Sequence, residues 1–231
     1  MIRRPAMLNE RKEGRASFIV LCVLFALVVL ILVLDLLRAH YLLIVEVKGD
    51  SMRDTLYGGE LVGGDYEGGD VVYAVRGKDA ERGEIVIIDT TDSAAYDPGG
   101  RAVFSASTII KRIIATEGDC VRCVKGVVWL KKAGGEYEAL DEPYAKGVTP
   151  DFAEVRVGEG EIFFLGDNRE HSADSQEVVA GGYDLLTVED IIGVVPDWAV
   201  AIKGFSTGWE NFRAAVYNFL FGINPFSEEN I

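Results

Sequence analysis

Cysteine, proline, histidine and positive charge are all in short supply. The 231 residues hold 3 Cys, 6 Pro and 2 His, and 23 Lys and Arg stand against 37 Asp and Glu. So few cysteines exclude a disulfide scaffold, and so few prolines among 26 glycines exclude a collagen-like chain. A hydrophobic content of 49% excludes a disordered one. The acidic balance argues against a nucleic-acid partner, because phosphate neutralisation needs Lys and Arg clustered on the binding surface. With only His40 and His171, and one CxxC pair at Cys120 and Cys123, no metal site is expected. Neither an internal repeat nor a low-complexity tract is present.

What the chain has in abundance is one apolar run. Phe18 to Leu34 are seventeen consecutive apolar residues, and Ala16 and Ser17 extend them to nineteen uncharged ones. At about 1.5 Å per residue this helix spans roughly 28 Å, close to a hydrocarbon thickness of about 30 Å. A cleaved signal peptide is the alternative, but its apolar region is shorter and ends at a small-residue site, which Leu37-Arg38-Ala39 resembles only faintly. The run separates two charge regimes. Residues 1–16 carry Arg3, Arg4, Arg11, Lys12 and Arg15 against Glu10 and Glu13, whereas residues from 39 onward carry 17 basic and 34 acidic side chains. The positive-inside rule then gives a cytoplasmic basic tail (1–16), a transmembrane helix (17–37) and an extracytoplasmic domain (38–231), single-pass in the plasma membrane.

That outer domain reads as mainly β. Leu42–Val47, Val71–Val75, Glu84–Asp89, Ser107–Ala115, Val121–Val124, Val127–Lys131, Ile162–Leu165 and Ile191–Val195 are β-branched or alternating runs punctuated by Gly and Asp. Residues 91–101 read as a loop and 131–149 as a polar hairpin extension, neither with obvious chemistry. In a strand, Cys120 and Cys123 point to opposite faces, which disfavours a redox or metal role. At the C-terminus, Trp209, Phe212, Val216, Phe219 and Leu220 recur at helical spacing, giving an amphipathic helix over 209–221, too short to span a bilayer. Its stripe suits either capping the β core or lying in a membrane interface.

Three segments carry polar residues that the fold alone does not require. The first, Val45 to Leu56, puts Ser51 in a turn directly after a strand, beside Gly49. The second is Ser107 to Ile114, where Lys111 shares a strand face with Ile109 and Ile113 and Arg112 shares the other with Ile110 and Ile114. A lysine buried in this way finds a partner or loses its charge, and a neutral amine can accept a serine proton. The bland alternative is a lysine snorkelling from an edge strand. The third, Phe163 to Gln176, is a strand running into a turn dense in hydrogen-bonding side chains.

Together these segments and the apolar helix resemble bacterial type I signal peptidase, a membrane-bound serine endopeptidase with a Ser-Lys dyad. The resemblance rests on Gly49-Asp50-Ser51-Met52 with Thr55-Leu56, Arg82 to Val86, Lys111 to Ile114 through Gly118-Asp119, and Gly166-Asp167-Asn168-Arg169 with Ser172, Asp174 and Ser175, in family order. It implies the β-fold that signal peptidases share with SOS-repressor autoproteases. It also implies removal of signal peptides from exported preproteins after Ala-x-Ala patterns, without a cofactor or metal, by a monomer in the lipid bilayer. Ser51 matches the nucleophile and Lys111 the general base. Ser172 matches the serine that orients the lysine, with Asp174 and Arg112 as support, and the Ser51 main-chain amide would be an oxyanion donor. Val47, Gly49, Met52, Leu56, Ile109 and Ile110 match the substrate pocket. Gly49 stands where some members have a second oxyanion serine, as in many Gram-positive relatives, and Lys111 rather than histidine marks the ordinary bacterial type.

Two positions depart from the family pattern. Asp54 replaces a proline, and could cap a helix or pair with Arg53. Gln176 replaces an arginine that pairs with the acidic residue at Asp174, which leaves Arg112 as the expected partner. Two rival readings are an SOS-type autoprotease, disfavoured by the absence of a basic DNA-binding module, and a tethered β-domain binding peptides by strand addition, which has no need of Ser51 with Lys111.

Overall fold

The computed structural model describes residues 6–221; the side chains of residues 6–16, 31, 216, 217 and 219–221 lie outside the description. The basic tail expected at 1–16 therefore falls outside it, save for the helical backbone from Ala6. The chain divides into two compact units, Met1–Tyr41 and Leu42–Ile231. The first is helix α1 (Ala6–Tyr41), whose segment Ser17–Tyr41 is long and apolar enough to cross a membrane, the one such helix among the described residues. No residue separates it from the first strand.

The second unit contains strands β1 (Leu42–Glu46), β2 (Glu60–Val62), β3 (Asp65–Glu67), β4 (Val71–Val75), β5 (Ile85–Asp89) and β6 (Thr108–Thr116). These are followed by β7 (Cys120–Val124), β8 (Val127–Lys131), β9 (Tyr137–Ala139), β10 (Phe152–Arg156), β11 (Ile162–Leu165) and β12 (Ile191–Val195). Helices α2 (Ser175–Ala180), α3 (Asp197–Ala201) and α4 (Lys203–Phe221) complete it. A six-stranded antiparallel sheet runs in the order β1-β4-β12-β5-β6-β11, beside a four-stranded sheet β10-β7-β8-β9 and the ribbon β2-β3.

Strand β6 is the spine. Its first half pairs with β5 (Val86 opposite Lys111, Ile85 opposite Arg112) and its second half with β11, across an irregularity between Phe163 and Phe164. Ile85 to Ile88 and Ile162 to Leu165 are buried on both faces, which explains their unbroken apolar sequence. One core cluster (Val72, Ile87, Ile110) receives Met52 and Leu56 from the turn after β1, and a second (Val86, Ile113, Phe164) receives Val178 of α2. Burying two such side chains as large as Met52 and Leu56 contributes roughly 3 to 6 kcal/mol, enough to hold that turn across the sheet face.

All eight strands expected from the sequence are present, with ends shifted by one residue at most. The four added ones, β2, β3, β9 and β10, are short and partly exposed. Residues 131–149 begin as an extension of the β7-β8 hairpin, with β9 pairing back onto β8, and the chain then runs across to the turn after β11. Cys123 is buried and Cys120 half-exposed on the other face of β7, both free thiols. The C-terminal helix begins six residues earlier than expected and faces the other way. Ser206 and Glu210 are buried against β4, while Trp209 and Phe212 are exposed; the side chains of Val216, Phe219 and Leu220 lie outside the described residues.

Candidate active site

Strands β1 and β6 are separated by three others, so Ser51 reaches Lys111 only because the turn that follows β1 folds over the sheet. Gly49 (φ +85°) starts this turn in a backbone region that favours glycine. The approach is then too close for side chains: a Cβ on Gly58 would lie 1.7 Å from Gly49 O, and one on Gly69 would lie 1.9 Å from Val47 O. Met52 and Leu56, both fully buried, nail the turn to the core. From the other side, Asn168 donates its backbone N–H to Ser51 O (2.9 Å) and its Nδ2 to Asp50 O (2.9 Å). Thr55 Oγ1 donates to Asp167 Oδ2 at 2.5 Å. The turn after β11 thus clamps the turn after β1.

The clamp places Ser51 Oγ 2.8 Å from Lys111 Nζ. Lys111 is only 4% exposed; its Nζ otherwise donates to Ile110 O at 3.1 Å. Burial lowers its pKa to about 8, against the opposing pull of the Asp174 and Asp167 charges. The lysine therefore sits inside the unit rather than snorkelling from an edge. A substantial fraction of it is a neutral amine near pH 8, able to take the Ser51 hydroxyl proton.

Ser172 and Asp174 meet the nucleophile turn at Gly166. A Cβ there would lie 2.2 Å from Ser172 Oγ and 2.6 Å from Ser51 O, so only glycine lets the three approach. Asp174 caps α2 by accepting from Gln176 N, and also accepts from Gly166 N, each at 3.3 Å. Burial raises its pKa to about 6, opposed by Lys111, those two amides and the neighbouring Ser172 hydroxyl. Ser172 Oγ is itself buried and lacks a hydrogen bond of good geometry among the described residues.

Arg112 does not pair with Asp174. Its Nε and terminal nitrogen form a fork on Asp167 (2.9 and 2.6 Å), its third nitrogen donates to Gly83 O, and its guanidinium stacks 3.9 Å from the Tyr144 ring centroid. The expected pairing fails because Arg112 points away from the face of β6 that Lys111 occupies, and Asp167 lies on its side. Asp174, bound into the cap of α2, has Lys111 as its cationic neighbour. Asp54 likewise pairs with neither a helix end nor Arg53. It contacts Lys146 (3.1 Å), while Arg53 pairs with Asp50 (2.8 Å). At Asp54 φ is +77°, which a proline ring cannot adopt, so the departure from the family pattern accompanies a different turn.

The cavity beside Ser51 has a different lining from the one the resemblance implies. A cavity of about 220 Å³ opens at Ser51 and Lys111, lined by Gly49, Ile109, Val103, Phe104, Ala106 and Ala173 among others. Val47, Met52, Leu56 and Ile110 do not line it. All four are buried in the core beneath, where they support the turn. The wall that sequence reasoning missed comes from residues 103–106, after the loop judged empty of chemistry. Their small and apolar side chains are the only signal they carry. Also missed was the support from residues 142–149: Glu142 (2.5 and 3.1 Å) and Thr149 (2.7 Å) hold the buried Arg169 guanidinium, which in turn donates to Gly166 O (3.0 Å).

Comparison with known proteins follows this geometry. A family model described as signal peptidase, peptidase S26, matches residues 17–198. Signal peptidase I of Bacillus licheniformis is 33% identical over 74% of this chain and 84% of its own. Signal peptidase I P of Bacillus subtilis subsp. natto is 26% identical over 81% and 92%. A signal peptidase I crystal structure from Enterococcus faecalis V583 is 23% identical, covering 52% of this chain and 98% of that one with a TM-score of 0.36.

Proposed function

The chain belongs to the signal peptidase family, peptidase S26, and on that premise we propose that Ser51 and Lys111 are its nucleophile and general base. The protein is a serine endopeptidase that removes signal peptides from preproteins. The observation that carries the assignment is a buried lysine amine 2.8 Å from a serine hydroxyl at the mouth of a cleft.

Chemistry follows from that pair. Neutral Lys111 Nζ accepts the proton of Ser51 as Oγ attacks the scissile carbonyl carbon. The carbonyl π pair moves onto oxygen, facing the Ser51 main-chain N–H as an oxyanion donor. Collapse breaks the C–N bond, and the Lys111 ammonium returns its proton to the departing amine. Water, deprotonated by the Lys111 amine, then attacks the acyl carbon; the ester C–O bond breaks, and the Lys111 ammonium returns its proton to Ser51 Oγ. Gly49 offers no hydroxyl, so the Ser51 amide carries that stabilisation without a second side-chain donor. Asp174 acts on the lysine through its charge, and Ser172, buried beside Asp174, has its hydroxyl available to orient the amine; Arg112 acts at one remove, by fixing Asp167 and through it Thr55. The cleft is shallow and walled by Val103, Ala106, Ile109 and Ala173, which suits small side chains before the cut, as in Ala-x-Ala.

The basic residues preceding the apolar run of α1 put the N-terminus in the cytoplasm and residues from 42 onward outside, with the enzyme working as a monomer in the bilayer. Incubating the full chain in detergent with a preprotein bearing an Ala-x-Ala site tests the assignment. A new N-terminus directly after the second Ala is expected by mass spectrometry. Cleavage that survives Ser51→Ala, or falls elsewhere, would refute it.

A further inference from the structure

Helix α4 is amphipathic the wrong way round for a soluble domain, and its outward apolar stripe begins in α3. Trp198, Ile202, Phe205, Trp209 and Phe212 follow one another at intervals of four and three, and all are between 39% and 71% exposed. α3 buries only Ala199, with Val200 packed beside it, in the core, and the side of α4 turned to the protein is polar instead. Ser206 Oγ donates to Val71 O (2.6 Å), and Val71 N donates to Thr207 Oγ1 (2.8 Å). Tyr73 Oη donates to Glu210 Oε1 (2.8 Å), and Arg213 pairs with that buried carboxylate (2.7 Å). A surface helix ordinarily buries its apolar stripe against the core and solvates its charges. Here hydrogen bonds occupy the inner face, and a contiguous aromatic stripe is left outside, which marks an interaction surface.

The direction of α4 says what covers it. Its contacts move from Val71 at Ser206 to Tyr73 at Glu210, so it runs parallel to β4. β1 pairs antiparallel to β4 with Leu42 opposite Val75. The helix therefore heads for the end of β1 at which the chain joins α1, with no linker between. At about 1.5 Å per residue against roughly 3.3 Å for a strand, α4 draws level with Val75 near residue 214 and its last seven residues run about 10 Å further. In sequence the stripe continues there with Val216 and Phe219. Tryptophan and phenylalanine, rather than leucine or isoleucine, dominate the stripe, as they do where side chains meet the headgroup region.

We infer that the outward face of α3 and α4 lies in the membrane interface, with the lipid headgroup region as its occupant, and seats the enzymatic domain on the bilayer that α1 enters. The attachment bears on the active site, because Lys203 at the start of α4 donates to Thr55 O (2.6 Å) in the nucleophile turn. The drive is apolar: the domain is acidic, so the contact needs no anionic lipid and persists at high salt. This inference rests on the membrane-anchored reading of α1, and its test reads no catalysis.

The full chain carrying Trp129→Phe, which leaves Trp198 and Trp209 as the only tryptophans, is reconstituted into phosphatidylcholine vesicles with plain or brominated acyl chains. Because an interfacial helix sinks roughly 5 to 10 Å into the headgroup boundary, emission falls about twofold with brominated lipid, and aqueous iodide quenches weakly. Emission indifferent to bromine but open to iodide would overturn the inference. So would protection from iodide that vanishes on dilution with excess lipid, which would identify a second copy as the occupant. In the complementary chain, Trp198→Phe with Trp209→Phe, the remaining Trp129 must show no bromine effect; equal quenching there would also overturn it. Co-flotation with the vesicles reports α1 separately, so a failed anchor and a failed interface give different results.

Discussion

The two faces of β6 carry consecutive cations with opposite fates. On one face Arg112 meets a carboxylate in fork geometry, a backbone carbonyl and an aromatic ring. Burial pulls its pKa down, but the Asp167 hydrogen bonds and charge more than offset this, and the net shift is upward. On the other face Lys111 meets a hydroxyl and a single carbonyl, with Asp174 and Asp167 acting on it only through space, and burial brings it down to about 8. Desolvation is common to both. What differs is the partner, and that difference separates a structural cation from a base. The fork also needs arginine: a lysine at 112 could not make both bonds to Asp167 while donating to Gly83.

The largest effect comes from removing the reactive face. Ser51→Ala and Lys111→Ala should each lower kcat/KM by about 10⁴-fold or more with folding retained, and the double variant should be no worse than either single one. Steady-state cleavage of one preprotein by all three variants checks this. A Lys111→Ala enzyme with near-normal turnover would erase the distinction between the two cations.

Breaking the structural face should instead cost stability. Arg112→Met strands the fully buried Asp167 carboxylate with Thr55 as its remaining side-chain partner, a loss of about 3 kcal/mol in denaturant unfolding of the detergent-solubilised chain. Unchanged stability would mean that the ion pair is dispensable.

These faces were unequally legible in the sequence. Strands such as β5, β6 and β11 announce themselves through concentrated β-branched and aromatic residues, whereas β2, β3, β9 and β10 are short and interrupt their apolar residues with Glu, Asp or Arg. Ser51 and Lys111 each have a bland reading, as a turn cap and as a snorkelling lysine, and they stood out only when read with the segment from Phe163 to Gln176 as a resemblance to signal peptidase. Which carboxylate each cation meets did not, since Asp167 and Asp174 are seven residues apart and only the α2 cap decides which one faces Lys111. Met52 and Leu56 fit a pocket by residue type equally well as they fit the core. The stripe of α4 was visible as a period, but a period does not say which side the protein takes; Ser206 and Glu210 decide that through β4.

A smaller effect is expected at Ser172, whose buried hydroxyl stands beside Asp174. Ser172→Ala should lower kcat about tenfold with KM nearly unchanged, because it disorders the base and leaves the cleft intact. A change in KM alone would make Ser172 a substrate contact.

Smallest of all is a shift in pH. The Asp174 carboxylate holds the Lys111 pKa up, so Asp174→Asn removes that support and leaves desolvation less opposed. The rising limb of activity should then move to lower pH, by roughly half a unit. Movement in the other direction would mean that Asp174 does not act on Lys111 through its charge.

The central claim is that Lys111 works as a neutral amine because its burial outweighs the pull of the carboxylates that act on it only through space. It is tested most directly by the pH dependence of kcat/KM for the wild-type chain on a substrate without titratable groups near the cut. Activity should rise with an inflection near 8, the value to which burial brings Lys111. An inflection near 10.4, that of a free lysine, or near 6.5, that of a histidine, would contradict it.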